Sequence, residues 1–356
     1  MNIGSATQLL LEIFEIYLFL IFIFFTISAL PRWKPEKFEE PHFPVRVIVP
    51  CKGTDLTLRE NLESISAQDY GNFRITAVVD SEDDPSYPVI RDSGIEHLIS
   101  RKFSTKGSGK VKAIVTALQE TTEEIVVIVD SDVTAGRDWL RKLVSPLTDN
   151  RYGLSTTFPV FKPAGGFWSK FKSLWGLVGQ GMMESSITRF GWGGSLAFRR
   201  SIVAGRENEF LEQVSDDIFL TKACKHAGLR LYYEPGARAT VLSDDNFPVF
   251  FEWANRQTAL SISSGRNILY SGIALYFNQS LLYSMGVVFT VLLSPYFAFL
   301  LVPFIINTVK AAVRLPFKSA MLIPGTFIMP FFYFLNLVIA GRMKSIKWRG
   351  SSYDLQ

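Results

Sequence analysis

The feature that most constrains the fold is a run of five β-branched residues ending in two carboxylates, I-V-V-I-V-D-S-D from Ile125 to Asp132. A short run rich in valine and isoleucine is typical of a central strand of a parallel sheet, because such a strand is buried on both faces. In open α/β sheets, ligands bind beyond the carboxyl ends of the strands. Asp130 and Asp132 are therefore candidates for holding a divalent metal and, through it, a diphosphate. The alternative is that one of them caps the next helix.

Strand and helix patterns alternate ahead of this run. The predicted strands are Val45 to Val49, Ile75 to Val79, Ile95 to Ile99 and Ile125 to Val129. Helical spacing of apolar residues lies between them, so we predict an α/β fold with a mostly parallel, doubly wound sheet. The segment P-C-K-G-T-D, Pro50 to Asp55, is neither G-x-G-x-x-G nor a P-loop, and any nucleotide must be held in another way.

Charged clusters fall at the predicted loops of this sheet. They are Asp80 to Asp84, Lys106 to Lys112, and Asp130 to Asp132. Further along, Ser215-Asp216-Asp217-Ile218 opens a predicted helix from Asp217 to His226. In isolation this pair of aspartates is explained by the helix dipole, which favours acidic residues in a first turn.

Two segments in the middle of the chain have a less certain role. Phe167 to Met183 mixes aromatic residues with two lysines, which fits either an interfacial helix facing lipid headgroups or a helix packed on the sheet. Gly191 to Gly194 contains three glycines, which permit a close approach of the backbone to a bulky ligand.

Apolar segments crowd both ends of the chain, where many of its 30 phenylalanines lie. Gln8 to Leu30 is long enough to cross a bilayer, and Arg32, Lys34 and Lys37 follow it, which predicts an anchor with a cytosolic domain behind it. Near the other end, the apolar segments are Tyr270 to Ile306, with Ser294-Pro295 as a turn between two helices, and Met321 to Ala340. Basic residues flank the last segment on both sides, so a single crossing and a re-entrant segment both remain open.

Several classes of protein are excluded by composition. The net charge is +4, from 37 basic and 33 acidic residues, which is too small to favour a nucleic-acid partner. Cys51 and Cys224 form no disulfide framework, and three scattered histidines form no zinc motif.

The motifs together resemble the ceramide-glucosyltransferase-like branch of the inverting GT-A glycosyltransferases, from Val45 to Tyr353. The matching motifs are P-C-K-G-T-D, V-D-S-E-D-D-P with Asp80, Lys110 in G-K-V-K-A, D-S-D, S-D-D-I-F-L with Asp217, and W-R-G-S-S-Y at Trp348 to Tyr353. The resemblance implies an integral, multi-pass membrane protein with a GT-A domain flanked by transmembrane helices. The expected divisions are an anchor at residues 1–31, a cytosolic catalytic domain at 32–266, and a membrane region with a basic tail at 267–356.

The resemblance also implies a role for each matched residue. Asp217 is the expected catalytic base, Asp130 and Asp132 the ligands of Mg²⁺ or Mn²⁺, and the reaction transfers a hexose from a UDP-sugar donor to a membrane lipid hydroxyl with inversion. The expected donor-binding residues are Lys52, Asp80, Asp83, Asp84, Lys110, Asp130, Arg256 and Gln257. The expected acceptor region contains Gly193, Gly194, Asp216 and Trp253, with Phe167 to Trp175 at its entrance.

The chain departs from the family at one motif. The general Q-x-x-R-W pattern is absent, because Glu252 stands before Trp253 where the family has an arginine. The resemblance implies that Arg256-Gln257 takes the role of that arginine. The alternatives are a polyprenyl-phosphate or polysaccharide glycosyltransferase, a non-catalytic homologue, and a transporter. The nature of the lipid, the sugar and the oligomeric state are left open by the sequence.

Overall fold

A computed structural model describes residues 3–30 and 34–355, with side chains from residue 8 onward. The chain forms two compact units: a globular unit of residues 34–246 and 345–355, and an apolar unit of residues 3–30 and 247–344. The division thus falls at residue 246, where the sequence predicted 266, and the tail belongs to the globular unit, where the sequence placed it with the membrane region. The predicted boundary at residues 31 and 32, including Arg32, lies outside the described residues.

The strands of the described chain all lie in the globular unit. In chain order they are β1 Val45–Cys51, β2 Phe73–Val79, β3 Glu96–Ile99, β4 Ile125–Val129, β5 Val133–Ala135, β6 Tyr152–Thr156, β7 Val160–Pro163, β8 Ser195–Arg199, β9 Arg230–Tyr233, β10 Ala239–Ser243, β11 Ser345–Trp348 and β12 Ser351–Asp354. The predicted strand at Ile125 to Val129 is confirmed without change, and the other predicted strands differ by one or two residues at an end.

The helices are divided between the two units. In chain order they are α1 Ile3–Ala29, α2 Leu58–Ser66, α3 Tyr87–Asp92, α4 Gly109–Gln119, α5 Trp139–Val144, α6 Phe167–Glu184, α7 Glu207–Leu211, α8 Asp216–His226, α9 Phe247–Ser263, α10 Arg266–Leu292, α11 Val302–Arg314 and α12 Leu322–Ala340. Helix α1 and the last four helices, α9 to α12, form the apolar unit. The other helices belong to the globular unit.

The main sheet of the globular unit has the order β3-β2-β1-β4-β8-β6-β9. β1 pairs in parallel with β2 and β4, whereas β8 runs antiparallel between β4 and β6. The prediction of a mostly parallel sheet is confirmed. Because β8 runs against β4, the start of β8 meets the end of β4, and the glycine loop ahead of β8 reaches the D-S-D segment.

The first strand extends past the proline at which it was predicted to end. The sequence ended the first strand at Val49, before Pro50, but β1 continues through Cys51. Pairing with β4 stops at Ile48, so the missing N–H of Pro50 interrupts no ladder on that side.

A hydrophobic core fills the space between the sheet and helices α4 and α8. Residues such as Ile114, Val126, Phe198 and Phe219 are buried in it. The predicted apolar run of β4 is buried at all five positions, as expected for a central strand.

In the described part of the chain, four helical segments are long and apolar enough to cross a membrane: Gln8–Ala29, Arg266–Leu292, Pro295–Arg314 and Leu322–Ala340. The predicted turn at Ser294-Pro295 is confirmed, because α10 ends at Leu292 and a 3₁₀ segment, Pro295–Leu301, leads into α11. Within the apolar unit, Phe25, Leu282, Tyr283 and Leu300 form a buried cluster. Many other apolar side chains of this unit are exposed, for example Leu10 at 67% and Val291 at 75%.

Candidate functional site

The D-S-D segment turns directly from β4 into β5 Val133–Ala135. The Val133 N–H donates to the Asp130 carbonyl at 3.1 Å. The alternative that Asp130 or Asp132 caps the next helix is therefore wrong, because the next element is a strand. The two carboxylates stand at the carboxyl end of the sheet's central strand, as the ligand-binding interpretation requires.

Contacts from three segments of the chain hold this turn in place. Asn61, on α2, donates from Nδ2 to the Ser131 carbonyl at 2.9 Å, and accepts from Thr134 Oγ1 at 2.7 Å. The Ser131 hydroxyl donates to Asp55 Oδ2 at 2.5 Å. The backbone N–H of Asp130 donates to the Gly194 carbonyl at 3.2 Å. Contacts from three separate segments thus hold the backbone N–H of Asp130 and the carbonyl and hydroxyl groups of Ser131.

Lys110 joins two of the predicted acidic motifs. Its Nζ lies 2.8 Å from Asp130 Oδ1 and 3.2 Å from Asp216 Oδ2, and it donates to the Gly193 carbonyl at 3.1 Å. Burial lowers the pKa of Lys110, but the attraction of Asp130 and Asp216 outweighs burial and raises it, so the ammonium stays charged. Burial also raises the pKa of Asp216 in spite of its contact with Lys110. The chain therefore places one fixed positive charge between two carboxylates.

Asp216 and Asp217 have different surroundings. Asp216 is 4% exposed and lies against Lys110, whereas Asp217 is half-buried. Asp217 Oδ1 accepts from the Ile218 N–H at 2.8 Å and from the Ser215 hydroxyl, and Oδ2 accepts from the Gly193 N–H at 3.3 Å. Of the two carboxylates, Asp217 is the one that a ligand can reach.

Gly193 occupies a position where a side chain has no room. A Cβ there would lie 2.5 Å from Asp216 Oδ2 and 3.0 Å from Lys110 Nζ. The sequence predicted that the glycines permit a close approach to a ligand, whereas at Gly193 the structure shows a close approach to the Lys110–Asp216 ion pair.

The first acidic motif lies at the end of β2. Lys52 Nζ contacts Asp80 Oδ2 at 2.9 Å, and this hydrogen bond raises the pKa of Lys52. Asp84 Oδ1 accepts from the Gly53 N–H and from Ser86, while Asp83 is exposed. Partial burial opposes ionisation of Asp84, but the hydrogen bonds from Ser86 and Gly53 lower its pKa. Asp84 is thus engaged in holding the loop, which leaves Asp80 and Asp83 accessible.

The C-terminal hairpin adds a cation that the sequence did not assign to the site. Arg349 Nη2 lies 2.8 Å from Asp55 Oδ1, and Arg349 Nη1 donates to the Lys52 carbonyl. Asp55 and Arg349 are both within matched motifs, P-C-K-G-T-D and W-R-G-S-S-Y, and the sequence signal for a role was their place in those motifs.

The donor set at the D-S-D segment fits a divalent cation. Burial, followed by repulsion from Asp130 and Asp55, raises the pKa of Asp132 to about 7, so this carboxylate lies in an excess of negative charge. Carboxylate oxygens are the ligands that Mg²⁺ and Mn²⁺ prefer. Among the described residues no three Asp, Glu, His or Cys side chains group around one point, so at this segment the protein would supply one or two carboxylates. That number is usual for a cation that also binds substrate phosphates.

Three of the predicted site residues belong to the other unit. Trp253, Arg256 and Gln257 belong to α9 of the apolar unit, so they are not part of the constellation that the globular unit forms by itself. The predicted lining Phe167 to Trp175 forms the start of α6, where Phe171 is 1% and Trp175 8% exposed. This burial, together with the hydrogen bond from the Ser173 hydroxyl to the Phe161 carbonyl of β7 at 2.6 Å, favours a helix packed on a sheet, whereas Phe167 is 47% exposed.

The comparison with protein families matches the model described as glycosyl transferase family 21 to residues 14–356. The chain belongs to glycosyl transferase family 21. This membership agrees with the resemblance inferred from the motifs, and it covers both units of the chain.

Curated relatives of this family 21 chain are sugar transferases. It is 26% identical over 262 residues to an N-acetylglucosaminyltransferase of Rhizobium leguminosarum bv. viciae, covering 67% of this chain and 61% of that protein. It is 26% identical over 238 residues to ceramide glucosyltransferase 1 of Caenorhabditis elegans, covering 61% of this chain and 50% of that protein. The chain thus spans about half to three fifths of the length of these relatives.

A solved structure shows the same fold. The mannosyltransferase PcManGT from Pyrobaculum calidifontis, in complex with GDP-Man and Mn²⁺, aligns with a TM-score of 0.52 at 18% identity, covering 91% of this chain and 94% of that one. The family 21 chain therefore has a GT-A fold, as predicted.

Proposed function

We propose that this protein transfers a hexose, glucose or N-acetylglucosamine, from a UDP-sugar to the hydroxyl of a membrane lipid, with inversion at the anomeric carbon. The observation that carries the proposal is the position of Lys110, which joins Asp130 of the second acidic motif to Asp216 of the third. These contacts support a site in which the proposed donor-side and acceptor-side groups meet at one edge of the sheet. The curated relatives support sugar transfer as the reaction class and, through the ceramide enzyme, a lipid as the acceptor.

Each group has a separate task in this mechanism. Asp80 and Asp83, accessible beyond β2, accept hydrogen bonds from the nucleotide base, with Lys52 beside them. Asp130 and Asp132 would hold Mg²⁺ or Mn²⁺, which when bound supplies positive charge to the departing diphosphate. Lys110 supplies a fixed positive charge next to Asp130.

Asp217 is the proposed base. Hydrogen bonds from Gly193 and Ile218 orient its carboxylate, which takes the proton of the lipid hydroxyl as the hydroxyl oxygen attacks the anomeric carbon. The bond to the diphosphate breaks on the opposite face, so a single displacement converts an α-linked donor into a β-linked product. The helices long and apolar enough to span a membrane support an integral, multi-pass protein whose globular unit faces the cytosol.

The base assignment predicts that Asp217→Asn lowers the transfer rate by about 10²- to 10⁴-fold, the usual contribution of general-base catalysis. Affinity for UDP should stay within about twofold of wild type, because the amide keeps the size of the side chain. The measurement is hexose transfer from UDP-glucose and UDP-N-acetylglucosamine to lipid in proteoliposomes, with Asp92→Asn as an exposed carboxyl-to-amide control. Wild-type turnover by Asp217→Asn would overturn the assignment.

The metal assignment makes a second prediction. Asp132→Ala should abolish the increase in UDP affinity that Mn²⁺ produces in the wild-type protein, while Asp92→Ala retains it. Titration calorimetry with and without Mn²⁺ measures this difference. If the two variants respond to Mn²⁺ alike, Asp132 holds no metal.

Mass spectrometry of lipids from cells with and without the protein identifies the product. A hexose or N-acetylhexosamine increment on ceramide, a hopanoid or diacylglycerol would support the proposal and name the acceptor. An increment on polyprenyl phosphate, or a polymeric product, would support the alternative transferases instead.

A further inference from the structure

The turn of the C-terminal hairpin carries an arginine in an unusual backbone conformation. β11 and β12 pair in antiparallel register, and Arg349 and Gly350 connect them with φ of 45° and 79°. Among the described residues Arg349 is the only non-glycine with positive φ. Two-residue hairpin turns of this kind favour Asn-Gly or Asp-Gly, since a larger side chain is strained at positive φ. Arginine at this position therefore needs a reason beyond turn formation.

The Arg349 side chain points to the ends of β1 and β4. Its Nη2 lies 2.8 Å from Asp55 Oδ1, and the other oxygen of Asp55 accepts from Ser131, the residue between Asp130 and Asp132. The guanidinium charge acts on both of these aspartates. Asp55 thus bridges the arginine to the turn that carries the proposed metal ligands.

The guanidinium retains both accessibility and donor capacity. The Arg349 side chain is 35% exposed, whereas that of Lys110 is 10% exposed. An arginine has five N–H donors in a planar fork that matches phosphate geometry. The contacts with Asp55 and the Lys52 carbonyl leave further donors for a ligand.

A second contact fixes the hairpin beside the same site. The Gly109 N–H, in the first turn of α4, donates to the Tyr353 hydroxyl at 3.4 Å. Gly109 precedes Lys110 in that turn, so the hairpin meets both the Lys110 segment and the Asp55 loop. The hairpin is therefore held by its turn at one end and by β12 at the other.

We propose that Arg349 binds the diphosphate of the nucleotide-sugar donor and shares the leaving group's negative charge with Lys110. The inference rests on the proposed function, because it names a contact to the donor of that reaction. Asp55 holds the arginine in position in the absence of donor, and the free N–H groups take phosphate oxygens when the donor binds.

The test compares a ligand that has the diphosphate with one that lacks it. Titration calorimetry of the full-length protein in detergent with Mn²⁺ measures the affinities for UDP and for uridine. Arg349→Ala should bind UDP about 10- to 100-fold more weakly than wild type, which is the usual contribution of charged hydrogen bonds to affinity. Its affinity for uridine should be the same as that of wild type. Arg349→Lys, which keeps the charge without the fork, should lie between wild type and Arg349→Ala. The control is Lys347→Ala, which removes an exposed cation from the same hairpin.

The outcomes separate this inference from the proposed function. If wild type binds no UDP, the proposed function fails first. If wild type binds UDP and Arg349→Ala binds it equally well, the inference is overturned and the proposed function stands. Equal weakening of UDP and uridine would also overturn it, since a general disturbance of the site produces that result. Should Arg349→Ala lose its thermal unfolding transition, Arg349→Lys decides: unchanged UDP affinity in a folded Arg349→Lys would refute the phosphate contact.

Discussion

Lys110 is the residue on which the charge balance of the site depends. Taking an ammonium and two carboxylates out of water has a large desolvation cost, which is offset only while the charges remain paired. Asp216 is 5% and Lys110 10% exposed at the side chain, so little solvent is available to replace either partner. The pair lies where a donor diphosphate is proposed to leave, and its role in stability can be separated from any role in catalysis by measuring unfolding alone.

Lys110→Met should lower the free energy of unfolding by about 3 kcal/mol, because it leaves Asp130 and Asp216 without their cation. The measurement is urea unfolding of the detergent-solubilised protein followed by tryptophan fluorescence. Lys102→Met, an exposed lysine, should shift the free energy by less than about 0.5 kcal/mol. A result in which both variants unfold alike would show that Lys110 is not part of a buried ion pair.

At the scale of single elements, α6 shows how one sequence can fit two environments. Its aromatic and lysine residues suit a lipid interface, yet the Lys172 side chain is 10% exposed and its Nζ lies 3.0 Å from Asp245 Oδ2. The Ser169 hydroxyl donates to the Asp245 carbonyl at 3.3 Å and accepts from its N–H at 2.8 Å. These contacts attach the first two turns of α6 to the end of β10, inside the globular unit.

The two environments predict different effects of removing a lysine from α6. Lys172→Ala should destabilise the protein by about 3 kcal/mol, because it leaves Asp245 buried and uncompensated. Lys170→Ala, two residues away and half-buried, should have a much smaller effect. Urea unfolding measures both. If instead neither variant is destabilised and both bind less well to anionic vesicles, the interfacial interpretation of α6 would be restored.

The elements that local sequence predicts best are those whose environment is uniform. β4 is buried along its whole length, so five β-branched residues identify it to the residue. The role of Asp132 was ambiguous because the pattern after it fits a helix cap as well as a turn into β5. The sequence did not predict that Arg349 lies at the site, because its partner Asp55 is almost 300 residues away and no local pattern encodes that contact. The surroundings of Lys172 were missed for the same reason.

At the scale of the whole molecule, chain connectivity restricts how the apolar helices cross a membrane. Residues 34–246 and 345–355 belong to one globular unit, so both lie on the same side. Three segments that are long enough to cross lie between them: Arg266–Leu292, Pro295–Arg314 and Leu322–Ala340. Three complete crossings would place the tail on the opposite side from its partners. If these segments lie in a membrane, an even number of them therefore crosses completely, which allows the two basic flanks of the last segment to lie on one side.

We expect the first two of these segments to cross as a hairpin and Leu322–Ala340 to return to the side on which it begins. This choice places the basic residues on both flanks of Leu322–Ala340 on one side, in agreement with the positive-inside rule. Leu322–Ala340 is also the most enclosed of the four, with Pro330 inside it and Asn336 donating to Asn255 at 2.8 Å. Backbone that departs from a simple crossing is tolerated where protein surrounds it.

Cysteine accessibility in sealed vesicles tests this topology. The native thiols provide a low background, because burial raises the pKa of Cys51 to about 12 and of Cys224 to about 11, and the neutral thiol reacts slowly. Single cysteines are introduced at exposed positions of the globular unit, the turn after α10, the loop after α11 and the tail. These are Glu63→Cys, Leu293→Cys, Ala320→Cys and Ser352→Cys.

A membrane-impermeant maleimide should label the cysteines at positions 63, 320 and 352 from one side of the vesicle and that at 293 from the other. Equal labelling of positions 63 and 352 follows from the globular unit alone, so opposite sides for these two would contradict its fold. If position 320 instead shares the side of 293, then Leu322–Ala340 crosses and Pro295–Arg314 is the segment that does not. That outcome would keep the even number of crossings but refute the assignment of Leu322–Ala340 as the returning segment. The basic flank at Arg314 and Lys318 would then lie on the side of the membrane opposite the globular unit.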